Sequence, residues 1–357
     1  MKILITGICG FAGSSLARFW RETEPDWEIH GIDNLLRPGS ETNRLGLKRL
    51  GVNFTHADLR VASDFESLPA VDFVVDAAAS PSVLSGIDGK TSSRQIVEHN
   101  LGGTLNLLEY CKKHRSGFVL LSTSRVYSIP PLAKLPVRVE NRAYVPDAGQ
   151  PLPPGVSAAG ITENFSTEAP VSLYGSTKLA SEVLALEYGG CFGFSVWINR
   201  CGVLAGAGQF GRPDQGIFAY WLHSWKRGAP LKYIGFDGQG HQTRDLLHPH
   251  DLAALITRQV NFAGAGSPPK IINVAGGAGQ AMSLRQVSDW CSRRWSRRDI
   301  PGETQAPRPF DLPWLVLDSG QARKYWNWNP RISADTILEE IARQAESDPD
   351  WLDISAS

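Results

Sequence analysis

The sequence predicts an α/β protein, a doubly wound parallel sheet followed by a smaller mixed α/β lobe at the C-terminal end. Three observations carry that expectation. Short apolar runs such as "KILIT" (2–6) and "VDFVVDAAAS" (71–80) have the near-continuous hydrophobicity of strands buried on both faces. Segments of helical periodicity alternate with these runs, which is the pattern of a parallel sheet with helices on both sides. A glycine turn, "GICGFAGSSLARFWRE", stands between the first apolar run and the first helical pattern, where such a sheet receives a dinucleotide.

Composition narrows the class. The 357 residues are 42% hydrophobic and 20% charged, enough apolar mass for a large core and two lobes. Lys and Arg (36) balance Asp and Glu (36), so net charge lends no support to a nucleic-acid or anionic-membrane partner. The five cysteines are odd in number, scattered and without a C-x-x-C pair, which argues against a disulfide framework or zinc site and suits a cytoplasmic protein. The start, "MKILITGICGF", is too short to span a membrane and lacks a signal-cleavage region; it reads as the first strand.

In chain order, Gly7, Gly10 and Gly13 form G-x-x-G-x-x-G, a variant of the commoner G-x-G-x-x-G. Glycine is needed there for a tight turn, for close approach of backbone to a pyrophosphate, and for helix–sheet packing. The following helix offers free N–H groups and the positive end of its dipole to phosphate. The second strand, "WEIHGID", ends in Asp33, 20 residues after Gly13. A carboxylate there accepts from ribose hydroxyls and repels a 2′-phosphate, favouring NAD over NADP; Arg37 close by weakens that exclusion. "VNFTHADLR" leads a third strand to Asp58, and small residues Ala77–Ala79 end the fourth, where backbone can press against a cofactor. "GFVLLSTSRVY" is a fifth strand, and "QIVEHNLGGTLNLLEYCKKH" is helical with a basic last turn.

Residues 128–170, rich in Pro, Gly and Ala, read as an extended excursion near the active site, functional or mobile. In "VSLYGSTKLASE" (171–182), Tyr174 and Lys178 are spaced i, i+4 and share one helix face. A free tyrosine titrates near pH ~10; a neighbouring ammonium favours the phenolate and makes the residue a usable base. From about 206 a helix and then a short hairpin are expected, within "GAGQFGRPDQGIFAYWLHSWKRG" and "LKYIGFDGQGHQTRDLLHPHD". The expected division is 1–205 for the cofactor and 206–357 for the substrate, interleaved near 240–275. His248 and His250 stand near Asp245 and Asp251 without a matched third-ligand cluster, so no metal site is expected; Asp251 is expected to cap the next helix.

The glycines, Asp33, Asp58, "STSRVY" and "YGSTK" together resemble the extended short-chain dehydrogenase/reductase superfamily, a Rossmann fold, and within it the nucleotide-sugar epimerases and dehydratases. The resemblance implies a catalytic set of Thr123, Tyr174 and Lys178 with a tightly held NAD. It implies cofactor contacts from Gly7, Gly10, Phe11, Gly13, Asp33, Asn34, Asp58 (to the adenine amino group), Leu59, Ala77, Ala78 and Asn100, the last steadying the active-site helix. Substrate contacts would come from Ser124, Arg125, Asn199, Gln209, Gln215, Arg244 and Arg308. Of these, Arg244 is the pyrophosphate contact, because a guanidinium fork matches phosphate oxygens. The family's dehydratases carry Asp-Glu after the threonine; Ser124-Arg125 stands here and cannot do that acid–base work.

"DNLLRPG", "QFGRPDQGIFAYW" and "GHQTRDLLHPHDL" look most like the CDP-paratose/CDP-tyvelose 2-epimerase group. Departures from it are Asp76 in place of histidine, Ser128 after Tyr127, and the long 128–170 segment. The expected activity is NAD-dependent epimerisation at C2 of a CDP-hexose through a transient ketosugar. Epimerisation at C4 of a UDP-sugar would use the same three residues, and a nucleotide-sugar dehydrogenase or reductase would use the same fold. A non-catalytic NAD-bound regulatory protein is a remoter reading. The resemblance further implies a homodimer built on the helices carrying "TLNLLEY" and "YGSTKLASEVLALEY", a nucleotide-diphosphate sugar as the partner molecule, and a place in surface polysaccharide synthesis.

Overall fold

The apolar runs become seven parallel strands. The structure, a computed structural model, describes residues 1–87, 89, 92–264, 266–296, 301–304 and 308–356. The strands are β1 (Lys2–Thr6), β2 (Glu28–Asp33), β3 (Asn53–His56), β4 (Phe73–Asp76), β5 (Gly117–Thr123), β6 (Val196–Cys201) and β7 (Ile271–Val274), in spatial order β7-β6-β5-β4-β1-β2-β3. Ile3 of β1 lies opposite Ile29 of β2 on one side and Phe73 of β4 on the other. The chain runs outward from β1 to β3, then returns to β4 on the other side of β1. That reversal opens a crevice at the carboxyl ends of the strands.

Alternation along β1 sorts the core into two layers. Ile3 and Ile5 face helices α1 (Phe11–Thr23) and α5 (Pro249–Val260), packing with Leu16, Trp20, Leu252 and Ile256. Leu4 faces the opposite layer of α2 (Gly103–His114) and α3 (Ser172–Phe192), with Leu107, Leu108 and Ala185. Every residue of β5 and β6 is buried, so neither shows the polar–apolar alternation of a one-sided sheet.

Helix α3 carries Tyr174, Lys178 and Glu182 at successive i, i+4 steps, all buried. Glu182 anchors the helix: its carboxylate meets Arg200 of β6 at 2.7 Å and accepts from Ser122 Oγ of β5 at 2.5 Å. Tyr127 lies against the Arg200 guanidinium, 5.1 Å from ring centroid to Cζ, and donates to Asn273 Oδ1.

Beyond β6 the chain builds a second core from α4 (Ile217–Arg227), α6 (Leu284–Trp295) and α7 (Ala334–Ser347), with Trp221, Trp225, Val287, Ile337 and Ile341 inside. The expected hairpin after α4 does not form. Lys232–Ile234 pairs in parallel with Gly302–Thr304, and Thr243–Leu247 pairs with Val203–Leu204, Ala281–Ser283 and Trp314–Leu315. Left-handed backbone at Gly235, Phe236, Asp237, Gly238 and Gly240 turns the chain off a hairpin path, and the partners come from distant sequence.

Two further expectations are corrected. The 128–170 segment is not one extended excursion, and although it packs on Leu315 and the strand that carries Arg244, none of its residues lines the cleft. It folds as a helix (Ile129–Ala133) and a hairpin (Val137–Glu140 with Ala143–Pro146), and its Tyr127, Leu132, Ile161 and Phe165 neighbourhood packs on Trp314 and Leu317. Tyr144 N donates to His241 O at 2.8 Å, and Thr243 Oγ1 to Tyr144 O at 2.7 Å, tying the hairpin to the second lobe. Helix α5 is capped by His248, whose Nδ1 accepts from His250 N, and not by Asp251. Asp251 instead accepts from Arg331 N and Ile332 N, both at 3.0 Å, fastening the chain ahead of α7.

Candidate active site

A cleft of about 1080 Å³ runs over the carboxyl ends of the central strands and reaches the start of α4. One small ligand fills ~300–1,000 Å³, so this cleft has room for a dinucleotide with part of a second ligand.

The glycine turn forms its floor. Gly7 has φ +60°, and a Cβ there would come within 2.9 Å of Ala78 Cα. Gly10 N–H closes the turn on Gly7 O at 2.9 Å. Helix α1 begins with no side-chain cap and no acid in its first turn, leaving its amides and dipole to an anion. This cradle fits the pyrophosphate of a dinucleotide. Gly7, Gly10 and Phe11 line the cleft. Gly13 lies beneath it, where a Cβ would stand 2.3 Å from Gly7 O; its role is to let helix and turn touch, not to meet a cofactor.

Asp33, Asn34, Asp58, Leu59, Ala77 and Ala78 also line the cleft. Asp33 is oriented by two amides, Cys9 N at 3.0 Å and Leu35 N at 2.8 Å, while burial pushes its pKa up. Asp58 is gripped by Arg60 at 2.6 Å and by Asn34 Nδ2 at 3.1 Å, which hold its carboxyl below the usual range. Thr6 Oγ1 accepts from Ala77 N and Ala78 N and donates to Asp76, whose other oxygen takes Thr104 Oγ1. Asp76 thus ties β1, β4 and α2 together below the cleft. Asn100 stands behind the cleft wall: Oδ1 accepts from Ser80 N at 2.8 Å and Nδ2 donates to Thr177 Oγ1 of α3 at 3.1 Å. It steadies the helix, as expected, without being a lining residue.

Arg37 Nη1 donates to Gln215 Oε1 at 2.5 Å and Nη2 to Phe210 O at 2.8 Å, with the guanidinium 6.0 Å from the Phe210 ring. Two of its five N–H donors are thus held within the protein, while Nε has no partner among the described residues and Arg37 lines the cleft.

Thr123, Tyr174 and Lys178 converge on the cleft from β5 and α3. Tyr174 shares a hydrogen bond with Thr123, whose Oγ1 also accepts from Arg125 N at 3.2 Å. Burial pushes the Tyr174 phenol up to about 12, opposed by the Thr123 hydrogen bond and the charge of Arg125. Burial pushes the Cys201 thiol at the end of β6 up to about 12, opposed by the charge of Lys178, which also lines the cleft. Cys201 thus neighbours both Tyr174 and Lys178 where β5 and β6 end.

Substrate-side residues group around guanidinium charge. Arg125 donates to Phe310 O at 3.2 Å; desolvation and repulsion from Arg244 bring it down to about 9. Arg244 pairs with Asp311 at 3.1 Å, and Arg308 donates to Pro213 O at 3.3 Å. Three guanidiniums against Asp311 and the buried Asp245 leave this end of the cleft positive. Ser124, Gln209 and Gln215 line it too, Gln209 Nε2 donating to Leu204 O. Asn199 does not: it is fully buried and exchanges two hydrogen bonds, 2.9 and 2.8 Å, with Gln259 of α5. It lies two residues before the end of β6, a depth of ~7 Å, and cannot reach the cleft. Missed by sequence reading were Ser82, Asp214 and Asp311, which have no local pattern to mark them.

Features of this kind define the extended short-chain dehydrogenases and reductases. Residues 3–275 match the NAD dependent epimerase/dehydratase family, and the chain belongs to it. It is 29% identical to the CDP-paratose 2-epimerase of Salmonella typhi, over 96% of this chain and 98% of that one. It is 26% identical to the UDP-glucuronate 4-epimerase of Thermodesulfobacterium geofontis, over 94% and 93%. Among solved structures, the UDP-glucuronic acid 4-epimerase of Bacillus cereus, crystallised with UDP-glucuronic acid and NAD, superposes with TM-score 0.78 at 24% identity, over 97% of this chain and 99% of that one. NAD is the cofactor of the family.

Proposed function

We propose that the protein epimerises a nucleotide-activated hexose at C2, with a CDP-sugar as substrate. Gly7, Gly10 and Phe11 would hold the NAD pyrophosphate, Asp33 and Asp58 its adenosine, and Lys178 the nicotinamide ribose. NAD, once held there, would supply the redox chemistry, reversible hydride transfer at the carbon that bears the reacting hydroxyl. Tyr174 receives the hydroxyl proton and later gives it back. Thr123 holds the reacting oxygen, and the Arg125 charge favours the phenolate. Ser124 and Arg125 supply no carboxylate for dehydration.

The observation that carries the C2 reading is the position of Arg125, which acts on Tyr174 and also belongs to the Arg244–Asp311–Arg308 cluster. In a nucleotide sugar, C2 adjoins the anomeric carbon that carries the diphosphate, whereas C4 lies across the ring. One guanidinium neighbouring both the base and the diphosphate site suits a reacting carbon beside the phosphate. The cytidine assignment rests on the resemblance and on the Salmonella relative's name. A second reading, C4 epimerisation of a UDP-hexuronate, is favoured by the ability of the same guanidinium to hold a sugar carboxylate.

Residues 1–205 would form the cofactor part and 206–357 the substrate part, with β7 returning to the first. Two copies would join through α2 and α3, whose Leu105, Val183 and Phe192 are exposed. The test is a proton NMR time course with CDP-, UDP-, GDP- and dTDP-hexoses and no added NAD. A new anomeric signal with altered H2 coupling supports the C2 reading; altered H4 coupling moves the assignment to C4. NADH accumulating only on addition of NAD marks a dehydrogenase.

A further inference from the structure

We infer that Arg37, Ser82, Asp214 and Gln215 form a latch that closes segment 206–216 over the dinucleotide and keeps NAD from exchanging. The strand order places β1 between β4 and β2. A segment bonded to the loop after β4 and also to the loop after β2 must therefore pass over the glycine turn after β1. Segment 206–216 makes both bonds. On the β4 side, Ser82 Oγ donates to Asp214 Oδ2 at 2.7 Å. On the β2 side, Arg37 donates to Gln215 Oε1 at 2.5 Å and to Phe210 O at 2.8 Å.

The anchorage behind the latch is firm. Phe210 stacks on Trp351 with centroids 5.2 Å apart and planes 13° from parallel, and Trp351 Nε1 donates to Gln209 O at 2.8 Å. Gly208 N is held by Gln344 of α7 at 2.6 Å. Arg37 is repelled by Arg212 of the same segment and attracted by the Asp214 carboxylate, which so acts on both sides of the latch. Gln209, Phe210, Asp214 and Gln215 line the same cleft as the glycine turn. A dinucleotide seated on that turn lies under the bridge and leaves only when one side opens.

This inference rests on the epimerase reading only for its purpose: an epimerase regenerates NAD at every turnover, while a dehydrogenase must release NADH. The experiment loads the purified holoprotein and follows displacement of bound NAD by fluorescent etheno-NAD, with epimerisation recorded in parallel by NMR. Each latch bond removed should speed exchange about tenfold. Asp214→Ala should act at least as strongly as Ser82→Ala, because it also loses the attraction to Arg37, and their double variant no more than Asp214→Ala alone, because they share one bond. Arg37→Met should add to Ser82→Ala, and Asp214→Asn, which keeps an acceptor but loses the charge, should fall between wild type and Asp214→Ala. Exchange at the wild-type rate in all variants, or a wild-type protein that loses NAD on simple desalting, overturns the latch. Epimerisation without added NAD alongside unchanged exchange would sink the latch and leave the function standing. Latch-dependent exchange with no epimerisation of any sugar would do the reverse.

Discussion

Tyr174 shows how far a single residue's chemistry depends on its surroundings. Burial holds the phenol near 12 against its ordinary 10, and the groups that pull it down are Thr123 and Arg125. Tyr174→Phe should lower turnover by ~10²–10⁴-fold, the usual worth of a positioned acid–base group, while bound NAD, measured after heat release, stays at the wild-type level. A variant that turns over at the wild-type rate would remove Tyr174 from the mechanism. The same burial has a cost in alkali. Tyr174 and Tyr127 are both raised to about 12, so the folded chain holds these protons more tightly than the unfolded one. Their contribution is whole below pH ~10 and is lost as pH rises through ~12, up to about 2–3 kcal/mol for each. Urea midpoints should change little between pH 8 and 9 and fall increasingly from pH 10 to 11. Tyr127→Phe should flatten that fall while lowering the neutral-pH value through the lost bond to Asn273.

At the scale of the element, α3 matters most, since it carries the base and the lysine. Its sequence is apolar nearly all round, so hydrophobic patterning alone does not orient it. The Glu182–Arg200 pair does, one turn beyond Lys178, with both side chains under a tenth exposed. Glu182→Ala leaves the guanidinium buried without its partner and should destabilise the protein by about 3–5 kcal/mol, read from denaturant unfolding. Glu182→Met with Arg200→Met should recover part of that loss, because neither charge is then stranded. If the single variant unfolds like wild type, the pair is not what holds the helix.

At the scale of the molecule, the two cores meet around the cleft, and the C-terminal residues return to support it through Trp351 and Gln344. Helices α2 and α3 leave Leu105, Val183 and Phe192 outward on one face. Scattered apolar residues are ordinary on a surface, so the expected homodimer needs its own measurement. Light scattering should report twice the chain mass, and Val183→Glu, placing charge in the proposed four-helix contact, should halve it. A monomer at micromolar concentration would remove the dimer.

Much of this protein was legible along the chain. The five strands up to Thr123, the glycine turn and Asp33 follow from local patterns, because a parallel sheet buried on both faces writes its strands as apolar runs; the grouping of Thr123 with Tyr174 and Lys178 rests on the family resemblance. The site's other half was not legible. Asn199 sits two residues too deep in β6 to reach a ligand, Arg37 bonds to Gln215 and Phe210, and Arg125 adds its charge beside Tyr174. The 128–170 segment, which reads as an active-site excursion, lies against the strand Thr243–Leu247. Each of these depends on a partner brought from tens to hundreds of residues away. Sequence periodicity encodes which face of an element is buried; only the packed chain decides which side chain its charge or hydrogen bond will find.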